Sequence, residues 1–241
     1  IIMWMGYSEI VRMPLKIKVV GLGMIAAGSI ASLSRGPWVS LIAGLILWFS
    51  LSPQGLKRLF MAAGVMGAAF GLVLLTPARD EIISLIPWVG STDSQNIDYR
   101  ARLLQVSMFL ISESPWFGSP TFMSAPIMQQ MVQGQGIIDL VNTYISLALS
   151  SGLVGVFLFS TVVIGPLLKG LPIYMRLLSK AHNQDKHELA DPQLRALLCV
   201  LASTAIAIGT ASSILAIPWT YWLMAGLTVN LIQKQAGRES R

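Results

Sequence analysis

Groups able to act on a substrate are scarce in this sequence, and most of them are arginines. Arg35 stands between two apolar runs in "SLSRGPWVSL", with no acid beside it and with Gly36 and Pro37 following at once. Arg100 and Arg102 lie in "NIDYRARLLQ", and Arg79 adjoins Asp80 and Glu81. Arginine stays charged and presents a fork of donors that fits phosphate or carboxylate. At the end of an apolar helix it also snorkels to lipid headgroups, and beside an acid it forms an ordinary surface pair. Arg79 suits the surface pair. Arg100 and Arg102 suit Asp98 or headgroups, while for Arg35 both headgroups and a ligand stay open. Further on, "DLVNTY" gathers Asp139, Asn142 and Tyr144. A helix cap or first-turn acid accounts for Asp139 as well as a chemical role does. Asn142 can cap or bond within a bundle, and Tyr144 can anchor at an interface.

Nothing in the sequence indicates a metal or a cofactor. The single cysteine, Cys199, lies in an apolar run and reads as a small buried residue. His182 and His187 fall in the polar stretch "SKAHNQDKHELAD" without a third ligand. No DxD-type cluster is present to hold Mg²⁺ with a nucleotide-sugar.

These residues must be held by membrane helices. Only 12% of the 241 residues are charged and 54% are hydrophobic, against about 25% charged in a typical soluble domain. The net charge of +6 is dealt out in small groups between apolar runs, which excludes a nucleic-acid patch and reads as membrane topology. The expected fold is an all-α, polytopic membrane bundle forming one domain over residues 1–241. Six spans are expected, about Ile17–Leu33, Pro37–Leu51, Leu59–Thr76, Leu140–Leu168, Leu194–Ala211 and Ile214–Ile232. The fourth is long enough that it should tilt or begin outside the bilayer. Gly21, Gly23 and Gly28, then Gly64, Gly67 and Gly71, suggest close helix packing.

One orientation satisfies the positive-inside rule for every loop. Lys57, Arg58, Lys169, Arg176, Arg195 and Lys234, among others, fall in the cytoplasm with both chain ends. Arg35, Arg79, Arg100 and Arg102 face out. The opening "IIMWMGYSEIV" reads as the tail of an earlier apolar segment, so the chain is expected to be the C-terminal part of a longer protein. The outer side carries one long connection, residues 77–137. In it "NIDYRARLLQVSMFLISESPWFG" predicts a helix, capped by Asn96 or Asp98 and stopped at Pro115 and Gly118. It should lie on the membrane surface or against the bundle. The Met- and Gln-rich "SPTFMSAPIMQQMVQGQG" after it reads as a mobile flap.

The order of these pieces resembles the O-antigen ligase / Wzy polymerase family. Arg35, in Ser-Arg-Gly at a helix end, matches that family's first motif. Arg100, fifteen residues before the Pro-x-Phe-Gly turn at Pro115, matches its second better than Arg102 does. Asn142, Tyr144, Gly152, Leu153 and Gly155 match the third. One position departs: Val141 stands where the family has a histidine that in ligases is thought to help activate the acceptor hydroxyl. Asp139 is the nearest replacement, but two residues along a helix is about 200°, so it serves only if the helix starts after it.

The resemblance implies a metal-independent glycosyltransferase at the periplasmic face of the bacterial inner membrane. Its donor would be an undecaprenyl-diphosphate-linked glycan. Arg35, Arg100, Arg102 and Tyr144 would bind the lipid diphosphate, and Asp139 and Asn142 would be the catalytic pair. Polymerisation of O-antigen or exopolysaccharide repeat units is preferred to ligation onto lipid A core or protein because Val141 replaces the histidine. A transporter or flippase fragment is the reading from another class. It is disfavoured by the lack of an internal repeat and of charge within any span interior. A catalytically dead relative is the third.

Overall fold

The computed structural model describes residues 1–31, 35–52, 55–76, 94–134, 136–183, 191–210 and 217–239. Arg79, Asp80, Glu81 and His187 lie outside the described residues, as do the side chains of Arg35 and His182. Among the described residues all regular structure is helical. The helices are α1 (Ile2–Ile10), α2 (Leu15–Ala31), α3 (Arg35–Ser50), α4 (Gly55–Leu74) and α5 (Ser94–Glu113), then short α6 (Pro126–Gln129), α7 (Thr143–Asn183), α8 (Pro192–Ala207) and α9 (Ile217–Glu239).

A helix covers most of each expected span, because uninterrupted apolar runs ended by Pro, Gly or polar residues leave helix as the way to satisfy the backbone in lipid. Span length is another matter. Among the described residues one helix, Thr143–Lys180, with a mean hydropathy of 2.2, is long and apolar enough to cross a membrane. Gly36–Ser50 and Pro192–Ala207 are apolar but shorter.

The main core is built around α8, which packs against α1, α3, α7 and α9. Leu194, Leu198, Cys199 and Leu201 of α8 are fully buried with Trp48, Val163 and Tyr174. Two small-residue contacts bring α8 close to its neighbours. A Cβ on Gly6 would meet Ala196 at 2.5 Å, and Gly44 of α3 lies against Ser203. Among the described residues, the glycines expected to do this have no such neighbour, apart from Gly21, which lies against Trp4. No described atom lies within 4 Å of a Cβ placed on Gly23, Gly28, Gly64, Gly67 or Gly71.

Arg195, counted among the cytoplasmic charges, is a buried charge in the first turn of α8, 4% exposed. It pairs with Glu9 at the end of α1, and its guanidinium carbon lies 3.8 Å from the Trp48 ring centroid. A charge with an acid and an aromatic face beside it can be buried where a lone one cannot. The same end is fixed by Asp191, which caps α8 by accepting from the Gln193 and Leu194 amides at 2.9 and 3.4 Å. Its other oxygen accepts from Gln235 of α9 at 2.7 Å. Tyr174 donates to the Leu51 carbonyl at 3.1 Å, joining α7 to the end of α3. The opening stretch, α1, is thus part of the bundle.

At the opposite end a second, smaller core joins Leu103 of α5, Phe122, Met128, Met131, Leu140 and Leu149. The Met- and Gln-rich stretch is therefore not a flap. Met128 is 0% exposed, and Phe122 and Met131 are buried beside it. Helix α5 begins at Ser94, so Asn96 and Asp98 lie inside it and neither is its cap. It packs against α7 and α6.

Candidate substrate-binding site

The site is assembled by one junction. Helix α7 breaks at Gly152, whose φ of 67° and ψ of −170° are essentially closed to other residues. Into this break docks the turn that ends α5, "SPWFGS". The Leu153 amide donates to the Pro115 carbonyl at 2.8 Å and the Val154 amide to the Trp116 carbonyl at 3.2 Å. The Ser119 amide donates in turn to the Leu149 carbonyl at 2.7 Å. Gly118, with φ of 64°, comes so close that a Cβ there would sit 2.5 Å from the Leu149 oxygen. A Cβ on Gly152 would overlap the Trp116 carbonyl. The Pro-x-Phe-Gly turn and the Gly-Leu-x-Gly motif are the two halves of a single contact. Through it the break holds α5 beside the start of α7, and the residues of α7 before the break pack in the outer core.

Between α5 and α7 lies a cavity of about 240 Å³ lined by Arg100, Leu103, Leu104 and Ser107 on one side. Leu140, Val141, Asn142 and Ile145 line the other, with Gly209 and Thr210 from the segment after α8. The spacing of the α5 residues, i, i+3, i+4 and i+7, puts them on one helical face. Arg100 is exposed and Ser107 is fully buried. The Thr143 amide donates to the Ile208 carbonyl at 2.9 Å, which ties the entry of α7 to the end of α8. Gly36, the second residue of α3, approaches Thr210 so closely that a Cβ would lie 2.5 Å from its Oγ1. The N-terminus of α3, which Arg35 opens, therefore adjoins the wall of the cavity that Arg100 and Asn142 line.

The other candidates fall as follows. Helix α7 starts at Thr143, after Asp139, so the 200° argument against Asp139 does not apply; Asp139 stands in the extended lead-in and does not line the cavity. The cap of α7 is Asn142, whose Oδ1 accepts from the Tyr144 and Ile145 amides at 2.9 and 3.2 Å. This leaves the Nδ2 of this cavity-lining residue as its donor. Tyr144 is turned into the main core: its hydroxyl donates to the Ala205 carbonyl at 2.9 Å and its ring stacks edge-on against Phe159. Arg102, two residues from Arg100 and so on nearly the opposite face of α5, is exposed and outside the lining.

A family model described as O-antigen ligase matches residues 20–160, more than half of the chain. The chain belongs to the O-antigen ligase family. It is accordingly a membrane enzyme of the O-antigen ligase and polymerase type, a glycosyl-transferring class of the bacterial inner membrane. The resemblance read from the motifs holds. The match includes Arg35, Arg100, Asn142 and both docking glycines, whereas Gly209 and Thr210 lie beyond it. Neither curated proteins nor solved structures yield a match.

Two hydroxyl-bearing lining residues of the family member's cavity, Ser107 and Thr210, were not singled out from sequence. Ser107 carried a usable signal, a lone hydroxyl in the apolar run "LLQVSMFLI" seven residues after Arg100. Thr210, in "IGTASS", carried none beyond a polar break after an apolar helix.

Proposed function

We propose that the chain carries the catalytic site of a metal-independent glycosyltransferase. It would polymerise O-antigen or exopolysaccharide repeat units at the periplasmic face from an undecaprenyl-diphosphate-linked glycan. The observation that supports it most is the cavity itself, which joins Arg100, Asn142 and the position of the family's histidine, Val141, beside the start of α3.

The acceptor sugar hydroxyl attacks the anomeric carbon of the donor, the bond from that carbon to the diphosphate oxygen breaks, and the lipid diphosphate leaves with the electron pair. Arg35 and Arg100 hold the diphosphate and offset the charge it gains, more in the transition state than before it. Asn142 Nδ2 adds a donor. The proton lost by the acceptor hydroxyl leaves to solvent, relayed by Asp139, which stands in the lead-in to α7 and not in the cavity wall. Val141 in place of the histidine favours polymerisation over ligation to lipid A core. Arg102 and Tyr144 take no part: one faces away and the other is committed to α8.

Part of this proposal is a six-span topology with both ends in the cytoplasm and residues 77–137 outside. It is supported by the one-sided distribution of lysine and arginine. Since Cys199 is buried, cysteines introduced singly into each loop report sidedness against a quiet background.

The test of function is Arg100→Ala, with Arg35→Ala beside it, in the full-length gene, with membrane levels checked and lipid-linked and finished glycans profiled. Single repeat units accumulating on the lipid, with long chains lost, is the expected result. Long chains that form on the lipid but never reach lipid A core would replace polymerase by ligase. An unchanged profile would remove both arginines from the mechanism.

A further inference from the structure

We propose that the Ser107 hydroxyl is a binding group of this enzyme and donates a hydrogen bond to the diphosphate of the lipid-linked donor. The assignment rests on the function proposed above and adds to it a buried residue of the cavity lining.

Ser107 is 0% exposed, lines the cavity, and its Oγ has no hydrogen-bond partner. That is an expensive arrangement, because a buried hydroxyl left unpaired costs about 1–3 kcal/mol. It is also avoidable. A helical serine or threonine can bond the carbonyl three or four residues before it, and others in this chain do so. Ser112, on the same helix, donates to the Phe109 carbonyl at 2.6 Å. Ser40 donates to Pro37 at 2.8 Å and Thr161 to Leu158 at 2.7 Å. Ser107 forgoes that bond, so its hydroxyl is kept for something that occupies the cavity.

The chemistry of that occupant follows from the spare capacity of the lining side chains. Arg100 has only donors. Asn142 has its oxygen committed to two amides of α7 and offers its NH₂. Thr210 gives its proton to the Ala207 carbonyl at 3.0 Å and keeps only acceptor capacity. The set is dominated by donors and headed by a fixed positive charge. The capped N-terminus of α7, with its partial positive charge, opens beside it. A sugar hydroxyl needs donors and acceptors in balance; an anion needs donors. Arg100, exposed, and Ser107, fully buried two turns further along α5, about 10.5 Å away along the axis, put a fixed charge and a hydroxyl on one face, which suits an anion.

The test uses the full-length protein in nanodiscs and undecaprenyl diphosphate without glycan as the probe, with inorganic diphosphate as the comparison. Ser107→Ala is expected to weaken undecaprenyl diphosphate binding about tenfold to a hundredfold, as for a hydrogen bond to a charged group. Ser107→Thr, which keeps the hydroxyl, should bind within a few-fold of wild type. The ligand-free Ser107→Ala protein should melt at the same temperature or higher, because an unpaired hydroxyl has been removed. A lower melting temperature would make the hydroxyl structural and overturn the assignment. Unchanged binding in Ser107→Ala with binding lost in Arg100→Ala would overturn it while leaving the proposed function standing. Unchanged binding in both would remove the two together. Inorganic diphosphate bound as tightly as the lipid, with the same dependence on Ser107, would overturn a lipid-borne ligand in favour of a free one.

Discussion

Gly152→Ala tests whether the junction between the outer turn and α7 positions the site. The φ of 67° and ψ of −170° at Gly152 cost a residue with a Cβ about 1–3 kcal/mol. The new methyl would also overlap the Trp116 carbonyl, so the turn must withdraw. The bonds from the Leu153 and Val154 amides are then weakened, at about 1 kcal/mol each. Together the loss is about 3–5 kcal/mol, concentrated in the outer core. Gly165→Ala is the control: it lies on the same helix, where no described atom is within 4 Å of an added Cβ. That change should be neutral or stabilise by about 0.5–1 kcal/mol. The assays are thermal unfolding of the full-length protein followed by tryptophan fluorescence, to which Trp116 contributes at the junction, and the glycan profile in cells. Gly152→Ala should lower the melting temperature, open the outer segment to protease and shorten or abolish long chains, because α5 carries Arg100. If Gly152→Ala behaves like Gly165→Ala in both assays, the junction does not position the site and the reasoning fails.

Three further outcomes follow from the same contacts. Asn142→Asp keeps the cap of α7, so the melting point should hold, but it places a carboxylate among the donors of the cavity; donor binding should fall roughly tenfold or more by charge repulsion, measured by titration with undecaprenyl diphosphate. Glu9→Gln leaves Arg195 buried without its acid. Since Glu9 is itself 38% exposed, the loss should be about 2–3 kcal/mol rather than the roughly 3–5 of a fully buried pair. Glu9→Gln with Arg195→Met should recover most of it in a thermal double-mutant cycle. Met128→Ala removes a side chain that is 0% exposed and should cost about 2–5 kcal/mol; a flap would lose nothing, so an unchanged unfolding curve would refute the outer core.

The sequence by itself determined the local features: helices over the apolar runs, the stop of α5 at Pro115 and Gly118, the family, and the positions of Arg35, Arg100 and Asn142 in its motifs. Each depends on residues within a turn or two of one another, where periodicity, proline and glycine act directly. It determined the glycines poorly, because spacing shows that a face is small and not whether another helix lies on it. Gly64, Gly67 and Gly71 have the spacing without a described neighbour, while Gly6, Gly36 and Gly44 have the neighbours. Only the tertiary structure decided that Gly152 breaks α7 to receive Trp116, that Glu9 finds Arg195, and that the Met-rich stretch closes a core. The physical reason is the same in each case. These contacts join residues far apart in the chain, and which faces meet is settled by the packing of whole helices. Ser107 shows both sides of this. Its place seven residues after Arg100 was legible, but that its hydroxyl is buried and unpaired within the cavity lining depends on how α5 packs against α7.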